Sequence, residues 1–240
     1  MGGIIKLKSI LISIQPQWVE KILNGEKTIE IRKTMPKCEL PCKVYIYCTK
    51  GKPYLYRVND DNKFELTNKL RFQDSSCFVK DYNAQNGKVV AEFTLNKIDI
   101  IEICDPDVLV NEKIVDIMEY KKQTCLSFDN FIDYIGYGDD HDGWGNKEWD
   151  IGYGWHIDGL KIYDKPKELS EFRKDLDCDD YPCNKGGKNS DCEYYYYDIT
   201  EGCSACGIDF DGEHCIYKII KRPPQSWCYV EECNNGKYCV

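Results

Sequence analysis

Residues 11–32 read Leu11-Ile12-Ser13-Ile14-Gln15-Pro16-Gln17-Trp18-Val19-Glu20-Lys21-Ile22-Leu23-Asn24-Gly25-Glu26-Lys27-Thr28-Ile29-Glu30-Ile31-Arg32. An apolar strand ends at Ile14, and Pro16 suits the first turn of a helix. Apolar residues then recur at helical spacing from Trp18 to Leu23. Gly25 is the type of residue that ends a helix in a left-handed conformation. The stretch therefore predicts a strand, a short helix and a second strand in immediate succession.

The second predicted strand alternates between two kinds of side chain. Thr28, Glu30 and Arg32 fall on one face, and Ile29 and Ile31 fall on the other. We interpret the apolar face as core and the polar face as the side of a cleft or of solvent. Lys27 supplies an ammonium and Arg32 a guanidinium, and Glu30 lies between them as a partner for both. Such cations suit a phosphate or the edge of a base. The alternative is an exposed ladder of ion pairs, which stabilises little.

The rest of the chain reads as short strands separated by turn signals, with few helices. This pattern favours an α+β protein built around a small barrel. Residues 50–75 are expected to form an inserted hairpin or loop, and the glycine-rich residues 136–145 a loop. Strands are predicted at residues 8–14, 28–32, 43–49, 88–99, 155–163 and 226–232, and helices at 16–23, 124–135 and 167–173.

The spacing Gly25-x-Lys27-x-x-Glu30-x-Arg32, after a strand and a helix, resembles the ASCH domain of the PUA-like superfamily. Residues 43–49, 87–93, 154–157 and 222–230 look like the later strands of the phage and prophage branch of that family. The resemblance implies a small PUA-like mixed β-barrel with flanking short helices and a Cys-rich insert before the last strand. The predicted divisions are a barrel at 1–175, an acidic insert at 176–220, and the final strand and tail at 221–240.

The resemblance further implies a cleft, between the first helix and the barrel, that binds RNA, single-stranded nucleic acid or a modified nucleoside. Aromatic side chains hold unpaired bases by stacking, and cations hold the phosphates. Trp155 and His156 point to opposite faces of their strand, and we expect His156 to be the cleft residue rather than a hydrogen-bonded core histidine. The predicted binding residues are Lys27, Thr28, Glu30, Arg32, Trp18 and His156.

An alternative is an ASCH enzyme, either a nuclease or an amidohydrolase that removes the acetyl group of N4-acetylcytidine. In that case Lys27 and Glu30 are the candidate catalytic residues. Glu30, however, stands where the resemblance places the threonine nucleophile of the amidohydrolases, and this favours binding over catalysis. A second alternative is a phage accessory protein that binds a host protein through the acidic, tyrosine-rich residues 193–198.

Charge is distributed unevenly along the chain, whose net charge is −9. Residues 1–100 carry 17 Lys and Arg against 11 Asp and Glu, whereas residues 101–240 carry 15 against 30. A basic amino-terminal surface next to an acidic, solvated part is compatible with nucleic-acid binding. Ordinary solvated surface on both halves is the alternative.

No apolar run approaches the ~20 residues that a membrane helix needs. The first residues lack a signal-peptide core and the Ser or Thr of a myristoylation site. We therefore expect a cytoplasmic protein without a membrane partner.

Fifteen cysteines in such a chain do not suggest a disulfide framework. The Cys203-x2-Cys206 spacing lets two thiolates reach one tetrahedral zinc, and a structural zinc would supply folding energy that an acidic insert lacks. The alternative is a loop with free thiols. The candidate zinc ligands are Cys183, Cys192, Cys203, Cys206 and Cys215.

Overall fold

The computed structural model describes residues 8–58, 63–69, 84–104, 107–115, 117–136, 151–175, 197–198, 202–203, 217–220 and 222–232. These residues form many short strands and three helices, which confirms the predicted α+β class. The helices are α1 (Pro16–Leu23), α2 (Ile117–Thr124) and α3 (Phe128–Ile135). The strands are β1 (Ser9–Ile14), β2 (Ile29–Arg32), β3 (Cys42–Cys48), β4 (Tyr54–Arg57), β5 (Phe64–Thr67), β6 (Val89–Leu95), β7 (Ile98–Cys104), β8 (Asp107–Val110), β9 (Lys113–Ile114), β10 (Ile151–His156), β11 (Asp158–Lys167), β12 (Phe172–Asp175), β13 (Tyr197–Asp198), β14 (Gly202–Cys203), β15 (Tyr217–Ile219) and β16 (Trp227–Glu232).

Most strands belong to two sheets. The larger sheet has seven strands in the order β11-β6-β3-β1-β16-β12-β15, and the smaller has five in the order β2-β10-β7-β8-β9. Strand β1 is central in the larger sheet, parallel to β3 and antiparallel to β16. Over the described residues neither sheet closes on itself, so the predicted barrel is realised as two open sheets.

The apolar character of β1, which only Ser13 interrupts between Ile10 and Ile14, is explained by burial on both faces of the larger sheet. Ile10 and Ile12 belong to the main core, which also contains residues of α1, β3 and β6 together with Trp155 of the smaller sheet. Leu11 packs in a separate cluster on the opposite face with Tyr45 and other side chains. A strand covered on both sides reads as an unbroken hydrophobic segment rather than an alternating one.

Helix α1 spans the predicted residues 16–23 and begins with Pro16 at its first turn. Gly25 follows it at φ 76°, a conformation that glycine adopts without steric cost. The amide of Gly25 donates to the carbonyl of Ile22, and the amide of Glu26 donates to that of Lys21. These two bonds form a Schellman motif, which ends the helix and turns the chain toward β2.

Strand β2 has one face in a hydrophobic core and one face outside it. Ile29 and Ile31 pack with residues of α2 and α3, including Tyr120 and Phe131. The residues between them, Glu30 and Arg32, therefore point to the other side of the smaller sheet. The alternation predicted for this strand is confirmed over Ile29–Arg32.

Three other predicted elements differ from the observed ones. The strand expected at 88–99 is divided into β6 and β7 by Asn96 and Lys97, and the strand expected at 155–163 is divided into β10 and β11. The helix expected at 167–173 is only a 3₁₀ turn, Leu169–Glu171, followed by β12. The hairpin expected within 50–75 is present as β4 and β5.

Most of the predicted Cys-rich insert, residues 176–220, lies outside the described residues. The structure therefore does not test the predicted domain limits. None of the described helices has the length and apolar character required to cross a membrane.

Candidate functional site

A cleft of about 870 Å³ opens where the end of β1, helix α1, strand β2, helix α3 and the segment before β16 meet. This volume is within the range of sites that bind small molecules. The cleft is lined by Ser13, Ile14, Gln15, Gln17, Trp18, Lys27, Glu30, Ile31, Arg32, Thr49, Leu126, Asn130, Tyr134, Pro223, Pro224, Gln225 and Ser226.

A network of three charged side chains lies at the floor of the cleft. The Glu30 carboxylate accepts from both cations: its Oε2 is 3.4 Å from Lys27 Nζ, and its Oε1 is 3.0 Å from Arg32 Nη2. The three residues are only 3%, 6% and 6% exposed in the order Lys27, Glu30, Arg32. The pairing predicted from the sequence is therefore present, but it is buried and is not an exposed ladder.

Lys27 is held by the main chain at the end of α2. Its Nζ donates to the carbonyl oxygen of Thr124 at 2.6 Å. The last carbonyls of a helix lack intrahelical partners and carry partial negative charge, so they suit an ammonium group. The amide of Thr28 donates to the carbonyl of Gln123, which adds a second hydrogen bond between the segment before β2 and the end of α2.

The protonation of Lys27 is affected by its surroundings. Burial lowers the pKa of the Lys27 ammonium below its usual value, although the negative charge of Glu30 opposes this effect. Desolvation disfavours the charged form of any buried amine. Lys27 is therefore easier to deprotonate than a lysine on the surface.

Arg32 connects β2 with the two chain segments that border the cleft on the other side. Its Nη2 donates to the carbonyl of Ser13 at 2.8 Å, and its Nη1 donates to Ser226 Oγ at 3.5 Å, which is the limit of a hydrogen bond. The Nε–H of Arg32 and the hydroxyl of Ser13 are buried without a hydrogen-bond partner. Two polar groups at the floor are therefore left unsatisfied.

The walls of the cleft combine flat apolar surfaces with amides. The Trp18 ring lies beside the floor, with Lys27 Nζ 5.5 Å from its centroid. Tyr134 of α3 contributes a second ring, and burial raises the pKa of its hydroxyl. Four amide side chains, Gln15, Gln17, Asn130 and Gln225, also line the cleft.

Four of the residues predicted to bind nucleic acid come together in this cleft: Trp18, Lys27, Glu30 and Arg32. Thr28 does not line it, and its side chain is exposed. The reason is that β2 begins at Ile29, so the alternation of the strand does not extend back to Thr28. Lys27 also precedes the strand and reaches the floor from the turn after α1.

His156 is likewise outside the cleft, contrary to the sequence prediction. It faces away from Trp155, which is fully buried in the main core, and its Nε2 lies 2.6 Å from Asp99 Oδ2. Burial raises the pKa of the Asp99 carboxyl, but hydrogen bonds from Lys97, His156 and Asn111 outweigh that effect and hold the pKa below its usual value. The alternation of β10 was predicted correctly, but neither Trp155 nor His156 lines the cleft.

The described residues include little of the candidate zinc site. Cys183, Cys192, Cys206 and Cys215 lie outside it, and only the backbone of Cys203 is described, in β14. Among the described side chains, no group of three His, Cys, Asp or Glu residues is arranged to hold a metal ion. The zinc site in the insert remains a prediction.

Several residues of the cleft were not identified from the sequence. Ser13 is a single polar residue inside the apolar run of β1, and this interruption is a signal that was available. Tyr134 lies beside the apolar stripe of α3, as expected of a residue at the edge of a buried helix face. The carbonyl of Thr124 gives no signal, because a main-chain group has no residue type.

No protein-family model and no curated protein sequence matches the chain. Among solved structures, the chain is similar to the crystal structure of ASCH from Zymomonas mobilis, at 16% identity over 68% of this chain and 74% of that one, with a TM-score of 0.38. Two mutant forms of the Zymomonas protein are similar at the same identity, with TM-scores of 0.38 and 0.37. Similarity at this level says nothing about what the chain binds. These three solved structures are of an ASCH protein, the family that the sequence motifs of this chain resemble.

Proposed function

We propose that the protein binds single-stranded nucleic acid, with RNA as the first candidate, or a modified nucleoside, in the cleft above Lys27, Glu30 and Arg32. The observation that carries the proposal is the buried ion network at the floor of an open cleft. Removing three charged groups from water is costly, and a buried pair is weak evidence for stability. Such groups in a cleft are candidates for a functional site.

The walls support a flat, heteroaromatic ligand. Trp18 and Tyr134 line the cleft with aromatic rings, on which a base can stack. Amide side chains such as Gln17 and Asn130 carry a donor and an acceptor side by side, which matches the edge of a base. A planar base between aromatic walls, with polar groups at its edge, satisfies both features.

Binding to labelled single-stranded RNA, measured by fluorescence anisotropy at low salt, tests the proposal. We expect Arg32→Ala and Lys27→Ala each to weaken binding by about tenfold or more, because hydrogen bonds to charged groups are among the stronger ones. Trp18→Ala should weaken binding too, since Trp18 is only partly buried and its loss leaves the ion network in place. Affinity should fall steeply with added salt as phosphate contacts release counterions.

Arg57→Ala is the matched control, because Arg57 pairs with Asp164 and does not line the cleft. Circular dichroism of each variant separates loss of binding from loss of fold. Folded Arg32→Ala, Lys27→Ala and Trp18→Ala that all bind RNA as tightly as the unmodified protein would rule out the cleft.

Hydrolysis of N4-acetylcytidine is the second candidate function, and the depressed pKa of Lys27 is the observation in its favour. A neutral amine in a cleft can act as a base or a nucleophile. Because Glu30 replaces the expected threonine, we expect little or no conversion. Chromatography of N4-acetylcytidine incubated with the protein decides the matter: conversion to cytidine that is lost in Lys27→Ala would establish the enzyme.

A further inference from the structure

The floor of the cleft contains two buried polar groups that lack a partner. They are the Nε–H of Arg32 and the hydroxyl of Ser13, and both residues are more than nine-tenths buried. Both residues belong to the lining of the cleft. Buried donors are nearly always paired in folded proteins, so an unpaired one in a cleft indicates a group that a ligand completes.

The rest of the floor consists mainly of donors. Lys27 and Arg32 have no acceptor atoms at all when charged, and the Ser13 hydroxyl is able to donate. The one carboxylate, Glu30, already has each of its oxygens held by a cation. A ligand that reaches this floor therefore meets free donors and an acceptor that is already occupied.

We infer that the cleft selects nucleobases whose inserted edge carries an oxo group, such as uracil or a 6-oxopurine, over bases with an amino group at that position. This inference rests on the proposed function and specifies its ligand class. An oxo oxygen accepts from Arg32 Nε and from the Ser13 hydroxyl. An amino group at the same place offers no acceptor to Arg32 Nε and leaves that buried donor unsatisfied, which costs more than a missing bond in water.

A base edge suits this floor better than a phosphate does. Lys27 and Arg32 are each already paired with the Glu30 carboxylate, so a phosphate would have to compete with that carboxylate for both cations. An oxo group is uncharged and needs no counter-ion. The flat walls at Trp18 and Tyr134 fit a ring rather than a tetrahedral group.

Two ligand pairs test the inference. Within each pair an oxo group replaces an amino group, and the adjacent ring nitrogen changes from an acceptor to an N–H donor. The first is eight-residue oligouridine against oligocytidine, labelled with fluorescein and followed by anisotropy. The second is inosine against adenosine as competitors of the labelled oligouridine. We expect the oxo member of each pair to bind about tenfold more tightly, the effect of about one net hydrogen bond.

Ser13→Ala removes one of the unpaired donors with little change in volume. It should reduce the preference severalfold by weakening the oxo ligands while leaving the amino ligands almost unchanged. Ser9→Ala, on the same strand but not lining the cleft, is the matched control and should retain the full preference. Arg32→Lys keeps the charge but removes the guanidinium donors, and it should abolish the preference.

Equal binding of both members of each pair, or tighter binding of the amino members, overturns the inference even if RNA binding still depends on Lys27 and Arg32. Inorganic phosphate that displaces the oligonucleotide regardless of its base also overturns it. Failure of all these oligonucleotides to bind overturns the proposed function itself, and the inference with it. The two failures are therefore distinguishable.

Discussion

Replacement of Glu30 by glutamine removes the one acidic side chain that the described residues contribute to the cleft, while keeping the size of the side chain. Glu30 lies between two cations that are almost fully buried. With a neutral amide there, Lys27 and Arg32 face each other without a counter-ion. We therefore expect Glu30→Gln to destabilise the folded protein.

The magnitude follows from the number of charges left unpaired. Removal of one partner from a buried ion pair typically costs about 3–5 kcal/mol. Here the amide oxygen of glutamine still accepts from one cation, and Lys27 keeps its bond to the Thr124 carbonyl, so we expect about 3 kcal/mol. For a chain of this size that corresponds to a melting temperature lower by roughly 6–12 °C.

The loss of stability caused by Glu30→Gln should also depend on pH. Burial lowers the pKa of Lys27, and the charge of Glu30 opposes that effect, so the pKa falls further in the variant. Between the folded pKa and the usual value near ~10.4, the unfolded chain binds a proton that the folded chain lacks, and stability rises with pH. The pH range in which stability rises begins at lower pH in the variant. The difference in stability between the unmodified protein and the variant should therefore narrow as pH is raised from neutral.

Urea denaturation at several pH values measures both effects. Glu26→Gln is the matched control, because Glu26 forms an ion pair of 3.0 Å with Lys21 on the surface, where its side chain is 53% exposed. Such pairs contribute about 0–1 kcal/mol. A Glu30→Gln variant no less stable at neutral pH than Glu26→Gln would refute the view that the network is buried and charged.

Two further predictions concern other parts of the chain. Gly154→Ala should lower the free energy of unfolding, measured by urea denaturation, by about 1–3 kcal/mol. The reason is that the added methyl group meets the buried Tyr120 hydroxyl and lies 3.1 Å from Ile29. A variant of unchanged stability would show that α2 is not packed closely on β10. The Cys-rich insert should hold one zinc per chain on four thiolates and release it on acidification or chelation, because the ligands must be deprotonated; elemental analysis of the reduced protein that finds no zinc leaves the free-thiol alternative.

The part of the fold that local sequence determines was predicted well. Helix α1 has the predicted limits because Pro16 favours the first turn of a helix and Gly25 adopts the left-handed conformation that ends one. The helix expected at 124–135 is present as α3 but begins only at Phe128, after Ser127, whose hydroxyl accepts from the Asn130 amide. Helix α2 was not predicted. Among those of its side chains whose burial is described, only Tyr120 and Thr124 are buried, so the periodic signal is weak.

The residues of the site that were predicted correctly all lie in the segment 11–32. The charges of Lys27, Glu30 and Arg32 were identified, but their burial depends on α3 and on residues 223–226, which lie far away in the sequence. His156 was assigned to the cleft because alternation separates two faces without saying what covers each. The unpaired donors of Ser13 and Arg32 become visible only when every neighbouring acceptor has been placed.

The pairing of β1 with β16 has a consequence for the newly made chain. The Arg32 guanidinium donates to the Ser226 hydroxyl across 194 residues, and the Ser13 amide donates to the Ser226 carbonyl. At synthesis rates of roughly 5–20 residues per second, the ribosome needs roughly 10–40 s to make that interval. During this time β1 has β3 on one side and an open edge on the other, the kind of edge that invites wrong partners. A product that stops before residue 222 therefore carries Lys27, Glu30 and Arg32 but lacks residues 223–226 of the cleft lining. We expect such a product not to bind the proposed ligand.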